Sequence, residues 1–357
     1  MLNAISIWKD DWDKARISLA GWWQHKSLAL HIIAPADKPL IDVPPPGAAD
    51  LETRWLNPDY RFTSMLYHAS HTFFGGASFP LFSPDIGPGS LGLFLGCTGH
   101  LAPETVWYDP SIIDPDCCGK LSLDIGNVWW KRHMDLLKIG VENSAGRWIV
   151  GMPDLIENLD TLAQLRGPQQ TLYDLVERPE WVMEKIHEIN IAYFEAFDRI
   201  YEIIETPWGG NAFDAFRLWG PGKCAKVQCD LCCTISPEMF RKFVMPALEE
   251  QCRWLDYSMF HLDGTQAMPQ LENLLNIDEL DAIEWTPQVG IEGGGNPRWY
   301  DLYRRIKSAG KSVQAIGVLP EEVEPLIDAV GPEGMYISTW TETETEARRM
   351  LSRTGWD

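Results

Sequence analysis

The sequence predicts an α/β protein, specifically a (β/α)8 TIM barrel with an N-terminal helical extension. Short apolar runs alternate with helical patterns along the chain, and eight of these runs have the length of a strand. This alternation implies a parallel sheet with right-handed crossovers, and a barrel of ~250 residues fits within a chain of 357. The candidate strands are 27–34, 77–82, 147–151, 216–220, 257–261, 282–285, 313–317 and 335–339.

A doubly wound open sheet is the competing fold. Its dinucleotide-binding form places a G-x-G-x-x-G turn directly after an early strand. The glycine-rich stretch G-I-E-G-G-G-N at 290–296 has another spacing and follows a late strand. The number of strand candidates therefore favours the barrel.

Helical patterns separate the strand candidates. Apolar residues recur at helical spacing over 179–200, and 236–246 begins with Ser236 as N-cap and Pro237 at the first helical position. Residues 1–26 read as a leading amphipathic helix, which is the N-terminal extension. Residues 27–357 then form a single barrel domain with an excursion near 98–126, where prolines and two adjacent cysteines interrupt the pattern.

Composition excludes several classes of partner. The formal net charge of −21 repels nucleic-acid phosphates and acidic membrane surfaces, so we expect neither as a partner. No apolar run reaches the ~18 residues of a membrane span, and the N-terminus lacks the basic region of a signal peptide. We therefore expect a cytoplasmic protein whose eight cysteines are free thiols.

In a barrel of this type, residues at the C-terminal ends of the strands meet at one rim and carry the chemistry. The sequence places polar and aromatic side chains just past nearly every strand candidate. Six of them are predicted to bind substrate, with the tryptophans forming aromatic walls: His31, Asp154, Trp219, Trp285, Thr339 and Trp340.

The stretch H-L-D-G at 261–264 is the strongest candidate for catalysis. Strand alternation aims His261 and Asp263 to the same side, and Glu284 ends the next strand at a similar level. A His-Asp-Glu set with mixed nitrogen and oxygen ligands suits zinc or another transition metal. The structural alternative is that His261 bonds the backbone at the strand end while Asp263 caps the following helix.

Two further groups leave alternatives open. Asp85, in F-S-P-D-I-G-P-G, either accepts hydrogen bonds from a ligand or is an Asx-turn residue of a Pro- and Gly-rich turn. Cys224, Cys229, Cys232 and Cys233 contain one C-x-x-C, which fits a zinc or redox site, although the segment also reads as a strand-to-helix loop. The motifs of P-loop enzymes, serine hydrolases and H-E-x-x-H metalloproteases are absent.

Three stretches together resemble the uroporphyrinogen decarboxylase superfamily. They are C-D-L-C-C-T-I-S-P-E-M-F-R-K-F-V-M-P-A-L at 229–248, Y-S-M-F-H-L-D-G at 257–264 and D-A-I-E-W-T-P-Q-V-G at 281–290. The likeness extends upstream through F-S-P-D-I-G-P-G and through 151–167. This superfamily contains (β/α)8 barrels, so the resemblance implies the fold that the alternation also predicts.

The superfamily holds decarboxylases and cobamide-dependent methyltransferases, and the sequence departs from both. The decarboxylases grip substrate carboxylates with an arginine-rich N-terminal segment that 25–39 lacks, while Asp85 resembles their catalytic aspartate apart from an inserted proline. The methyltransferases hold zinc through H-x-C-G and a later cysteine. Here Asp263 replaces the first cysteine and Thr339 stands where the later one is expected, so the resemblance implies a metal site with altered ligands.

We therefore expect an enzyme that transfers a methyl group from a small organic substrate. Asp85, His261 and Asp263 are the predicted catalytic residues, and His261, Asp263 and Glu284 the predicted ligands of zinc or another divalent metal. The resemblance implies a corrinoid carried by a partner protein. Two alternatives stay open: a metal-independent decarboxylase of a carboxylated pyrrolic or aromatic compound, and a non-catalytic corrinoid- or tetrapyrrole-binding protein. A homodimer is compatible with the sequence.

Overall fold

The strands of the protein follow the predicted alternation with helices. The computed structural model describes residues 7–47 and 49–356, so residues 1–6 of the predicted extension lie outside the described residues. The strands are β1 Ala29–Pro35, β2 Thr72–Gly76, β3 Leu81–Phe82, β4 Thr98–Leu101, β5 Val106–Asp109, β6 Ile149–Met152, β7 Asn211–Phe213, β8 Leu218–Gly220, β9 Cys224–Gln228, β10 Tyr257–Asp263, β11 Ala282–Thr286, β12 Ser312–Ala315 and β13 Met335–Trp340.

These strands form two main sheets and one hairpin. The larger sheet has the order β2, β1, β13, β12, β11, β10, β9, and its neighbours run parallel except for the antiparallel pair β1 and β2. The second sheet has the order β3, β6, β7, β8, in which β8 is antiparallel to β7. A side chain links the two sheets: the Asn211 amide donates to the Cys224 carbonyl at 3.0 Å and accepts from the Cys224 amide at 2.9 Å.

Helices cover the strands and begin where the sequence places caps. Ser236 accepts from the Met239 amide at 3.1 Å. The helix predicted over 236–246 ends early, because Pro246 starts a new helix after Val244. The helices are α1 Trp12–Trp23, α2 Leu51–Leu56, α3 Pro58–Ser70, α4 Ser90–Phe94, α5 Val128–Glu142, α6 Asn158–Arg166, α7 Pro168–Glu177, α8 Pro179–Ile204, α9 Pro237–Phe243, α10 Met245–Trp254, α11 Leu271–Leu275, α12 Tyr300–Ser308, α13 Val323–Val330 and α14 Glu344–Arg353.

The described part of the N-terminal extension packs tightly onto the sheets. Trp12 and Trp22 on α1 are almost completely buried. The indole of Trp22 donates to the Val313 carbonyl at 3.1 Å, and that of Trp23 to the Trp219 carbonyl at 3.0 Å. Within the described residues, no helix combines the length and the apolar character that crossing a bilayer requires.

The alternation is confirmed as an α/β fold with a parallel sheet, and each predicted strand segment contains a strand. Two local predictions are wrong. The segment 216–220 holds the short antiparallel strand β8, and the parallel strand beside β10 is β9, at the start of the cysteine stretch that also reads as a loop. The excursion near 98–126 contains the β4–β5 hairpin. Among the described residues, no backbone ladder joins the two main sheets.

The prediction of a barrel rather than an open sheet does not consider the stretch G-P-G-S-L-G at 87–92. This stretch has the G-x-G-x-x-G spacing of a dinucleotide-binding turn. The structure argues against that role. The helix that follows, α4, has only five residues. The amides of Gly89 and Ser90 donate to the Asp154 carbonyl at 3.0 and 3.2 Å, so they are not free to hold a phosphate.

Candidate functional site

Three neighbouring strands bring polar side chains to the same end of the larger sheet. The register pairs His261 on β10 with Gln228 on β9 and with Glu284 on β11. Paired residues on adjacent strands point to the same face, so these three side chains form one row across the sheet. Strand alternation also returns Asp263 to the face of His261. The common orientation that the sequence predicts for His261, Asp263 and Glu284 follows directly from this register.

Glu284 binds the imidazole of His261. The Nδ1 atom of His261 lies 2.5 Å from Oε2 of Glu284, and the Thr286 hydroxyl donates to the other carboxylate oxygen at 2.7 Å. Glu284 is completely buried. Burial lowers the pKa of His261, but the adjacent carboxylate raises it more, so the net shift of this pKa is upward. Because Nδ1 is engaged by the carboxylate, Nε2 is the nitrogen available to a ligand.

Asp230, His261 and Asp263 form a group of potential metal ligands, which we call the metal group. One ligand atom from each residue lies within 4.8 Å of the others. Glu284 contacts Nδ1 of the His261 ring, an arrangement typical of a histidine that binds a metal through Nε2. Loss of hydration, together with the nearby Asp160 carboxylate, raises the pKa of Asp230 to about 6.

Sequence reasoning missed Asp230. The residue follows β9, whose sequence C-A-K-V-Q carries a lysine and a glutamine and so lacks the apolar run expected of a central strand. Only its position two residues after a strand end could have identified it. The sulfur atoms of the same stretch play no part in the metal group, and Cys224, Cys229 and Cys232 are buried free thiols.

Asp160 on α6 fixes the backbone that carries Asp230. Its carboxylate accepts from the amide of Asp230 at 2.6 Å and from the amide of Leu231 at 3.0 Å. The side-chain amide of Gln228 donates to both Asp160 and Asp230, at 3.0 Å in each case. These bonds fix the backbone at Asp230 and hold its carboxylate.

Lys226 is a buried cation among carboxylates. Its Nζ atom lies 2.8 and 2.9 Å from the two oxygens of Asp154 and also donates to the side chain of Gln228. Burial lowers the pKa of Lys226, but Asp154 and Glu157 raise it by more, and the lysine stays charged. The neighbouring Glu157 accepts from the Gln228 amide at 2.7 Å, and its own burial raises its pKa to about 8.

Asp85 occupies a second region of the site, which we call the acid cavity. The cavity has a volume of about 480 Å³. The Asp154 amide donates to Asp85 Oδ1 at 2.7 Å, while Arg61 donates to the carbonyls of Asp85 and Ser83 at 2.9 and 2.6 Å. Burial, followed by the nearby Asp214 and Asp154, raises the pKa of Asp85 well above its usual range. The cavity is lined by Arg54, Trp55, Arg61, Ser83, Asp85, Gly87, Pro88, Pro103, Glu104 and Asp154.

One segment, Asp214–Arg217, lies between Asp85 and His261. At one end, the Ser83 hydroxyl donates to the Asp214 carboxylate, which lies close to Asp85. Further along, the ring of Phe216 packs against the imidazole of His261 with centroids 4.8 Å apart. Asp85 and His261 therefore flank the same loop.

The other residues predicted to bind substrate lie in different parts of the structure. Trp285 is fully buried on the face opposite to Glu284 and packs against Trp299 at 4.8 Å. Trp219 packs against Trp12 at 5.6 Å under α1. These two tryptophans are core residues, and the structure does not bring them to the metal group.

Thr339 is buried and pairs with Ile32, whereas the half-exposed Trp340 lines a surface depression beside Leu319. His31 faces the same side as Ser338 of β13. Aromatic side chains do line a cavity of about 390 Å³ beside Asp230, but they are Trp107 and Tyr108 of the β4–β5 hairpin.

Comparison with solved structures identifies a protein of the same fold. A chain described as "methyltransferase from Methanosarcina mazei" matches with a TM-score of 0.61 at 10% sequence identity, over 95% of this chain and 97% of that chain. At this identity the likeness concerns the fold. No protein-family model and no curated protein matches the sequence.

Proposed function

We propose that this protein is a divergent member of the uroporphyrinogen decarboxylase superfamily, built as a (β/α)8 barrel, that transfers a methyl group from a small organic substrate. The observation that carries the proposal is the convergence of Asp230, His261 and Asp263 at adjacent strand ends. The shared fold with a methyltransferase is consistent with it. A corrinoid protein is the proposed methyl acceptor.

The metal group fits a divalent metal such as zinc. Its donor atoms are one imidazole nitrogen and two carboxylate oxygens, which leaves room for substrate in the coordination sphere. A bound ion would supply a Lewis acid for the heteroatom that carries the methyl group. We propose that Glu284 orients the His261 ring through its contact with Nδ1. Glu284 does not bind the ion itself, because its Oε2 is already engaged by that contact.

Asp85 is the proposed acid for the leaving group. When the bond between methyl carbon and heteroatom breaks, the heteroatom keeps the electron pair and needs a proton. Burial and the neighbouring Asp214 and Asp154 raise the pKa of Asp85, a shift that favours the protonated carboxyl and so suits a general acid. Its position across the segment Asp214–Arg217 from His261 supports a role in the same reaction.

Metal analysis of the purified protein tests the proposal. We expect about one zinc or other transition-metal ion per chain, lost in His261→Ala and in Asp230→Asn. His100→Ala is the control, because this exposed histidine lies on the β4–β5 hairpin and pairs with Asp109 at 2.6 Å. Stoichiometric metal that survives His261→Ala would remove this histidine from the site. Methylation of a free reduced corrinoid by methyl ethers, amines or thioethers is the matching activity assay.

Decarboxylation is the second candidate, favoured by the buried Asp85, whose pKa is raised, in a cavity that Arg54 also lines. In that reaction Asp85 would protonate the ring carbon, the bond to the carboxylate would break, and carbon dioxide would leave. Activity that survives chelation but is absent in Asp85→Asn supports this candidate. Activity that disappears on chelation supports methyl transfer.

A further inference from the structure

The segment Asp214–Arg217 has an unusual backbone. Phe216 and Arg217 both adopt the left-handed conformation, with φ of 61° and 56°. This conformation is unfavourable for a residue other than glycine, and such strain concentrates at functional positions. Two hydrogen bonds from neighbouring strands hold it in place: Gln314 donates to the Phe216 carbonyl and Tyr336 to the Arg217 carbonyl, each at 2.9 Å.

The side chains of Phe216 and Arg217 have different surroundings. Phe216 packs on His261, so Arg217 follows directly after a residue that contacts the metal group. The Arg217 side chain is 45% exposed, and its ion-pair partner among the described residues, Asp214, is 3.9 Å away. A guanidinium at that distance from a single carboxylate keeps most of its hydrogen-bonding capacity for another anion.

His31 shares the surroundings of Arg217. The ring of His31 lies 6.3 Å from that of Tyr336, whose hydroxyl donates to the Arg217 carbonyl, so both residues are neighbours of Tyr336. The Nδ1 atom of His31 is buried without a hydrogen-bond partner in the described part of the chain. Burial, followed by the Arg217 charge, lowers the pKa of His31 to about 3.

This arrangement stands out in a protein with a net charge of −21, which repels anions at long range. A buried polar atom without a partner is energetically unfavourable, and a bound ligand can supply the bond that Nδ1 of His31 lacks in the described part of the chain.

We infer that Arg217, with His31, forms a subsite for a carboxylate of the substrate, across Phe216 from the metal group. The role in catalysis rests on the proposed function, whereas the binding of the anion does not. The substrate would then be a small molecule that carries a methylated heteroatom at one end and a carboxylate at the other. The guanidinium can pair with both carboxylate oxygens at once, which gives orientation as well as attraction.

Carboxylate binding to the metal-free protein tests this inference. Without a metal, the measured affinity contains no contribution from a carboxylate that binds the metal ion. The probes are acetate, methoxyacetate and 4-methoxybenzoate, each compared with its uncharged amide by calorimetric titration at low salt. The variant is Arg217→Asn, since asparagine tolerates the left-handed conformation and removes the guanidinium with its charge. Arg217→Lys is the matched variant that keeps the charge. Circular dichroism confirms that each variant is folded.

We expect at least one carboxylate to bind the wild type more tightly than its amide does, roughly tenfold or more. This preference should disappear in Arg217→Asn and be kept in part in Arg217→Lys. Equal binding of acid and amide in the wild type, or an acid preference that survives Arg217→Asn, overturns the inference. Inorganic phosphate that binds more tightly than every carboxylate overturns the assignment to a carboxylate. A protein that binds the acids but holds no metal in the earlier test would keep the subsite and lose the proposed reaction.

Discussion

The metal group and the acid cavity are built from similar residues but differ in electrostatics. At the metal group, carboxylates surround the imidazole of His261, which can balance their charge. In the acid cavity, the nearby guanidinium of Arg61 is bound by carbonyl oxygens, so Asp85 faces Asp214 and Asp154 and has no direct cationic partner among the described residues. The comparison teaches that surroundings, not residue type, set the properties of each aspartate, and the different roles that we propose for Asp230 and Asp85 rest on that difference.

Lys226 is the cation that the two regions share. It binds Asp154, whose amide contacts Asp85, and it binds Gln228, which contacts Asp230. Its removal therefore leaves buried carboxylates near both regions without this compensating charge.

We expect the largest effect from Lys226→Met. Breaking a buried pair by removing one partner costs about 3–5 kcal/mol, and urea denaturation should show a loss of that size in the free energy of unfolding. The control is Lys138→Met, which removes an exposed pair with Asp135 at 3.6 Å and should cost under ~1 kcal/mol. Equal losses in the two variants would show that the Lys226 network contributes little to stability.

His133 extends the comparison to a buried titratable group that contacts no carboxylate within residues 7–47 and 49–356. It lies on α5 with Nε2 2.9 Å from the Ser90 hydroxyl. Burial, with a smaller contribution from the Arg61 charge, lowers its pKa to about 4. The unfolded chain takes up this proton near pH 6.5, so the stability that the neutral ring contributes is present above that pH and is lost as pH falls towards 4.

The expected contribution is about 3 kcal/mol between pH 7 and pH 4. It should be visible as a smaller loss of stability in His133→Gln than in the wild type over that range, measured by denaturant titration at each pH. Parallel curves for the two proteins would mean that His133 is charged, or solvated, in the folded state.

Glu284→Gln should produce the smallest of the three effects, confined to the metal group. Glutamine keeps the size of the side chain but loses the charge that orients and polarises His261, so metal affinity should fall about 10–100-fold. Competition with a fluorescent chelator measures this affinity. Thr286→Val removes the hydroxyl bound to the same carboxylate and leaves its charge, so its effect should be below that of Glu284→Gln. An affinity within about twofold of the wild type in Glu284→Gln would contradict the supporting role of this residue.

Several features were determined by the sequence alone. Apolar runs separated by capped helical patterns predict the α/β fold, because burial of these runs and the start of each helix depend on local residue spacing. The pairing of His261 with Asp263 on one face also follows from strand alternation, and the end of β11 brings Glu284 to the same level.

Only the tertiary structure decided the rest of the site. Asp230 lies near His261 because β9 is paired with β10, although the lysine and glutamine of β9 do not form the apolar run of a typical central strand. Trp285 packs in the core because it points to the face of β11 opposite to Glu284. The strained segment at Phe216 and Arg217 depends on Gln314 and Tyr336, about a hundred residues away. Contacts between residues so far apart in the chain leave no periodic trace in the sequence, because they arise from how the strands are ordered in space.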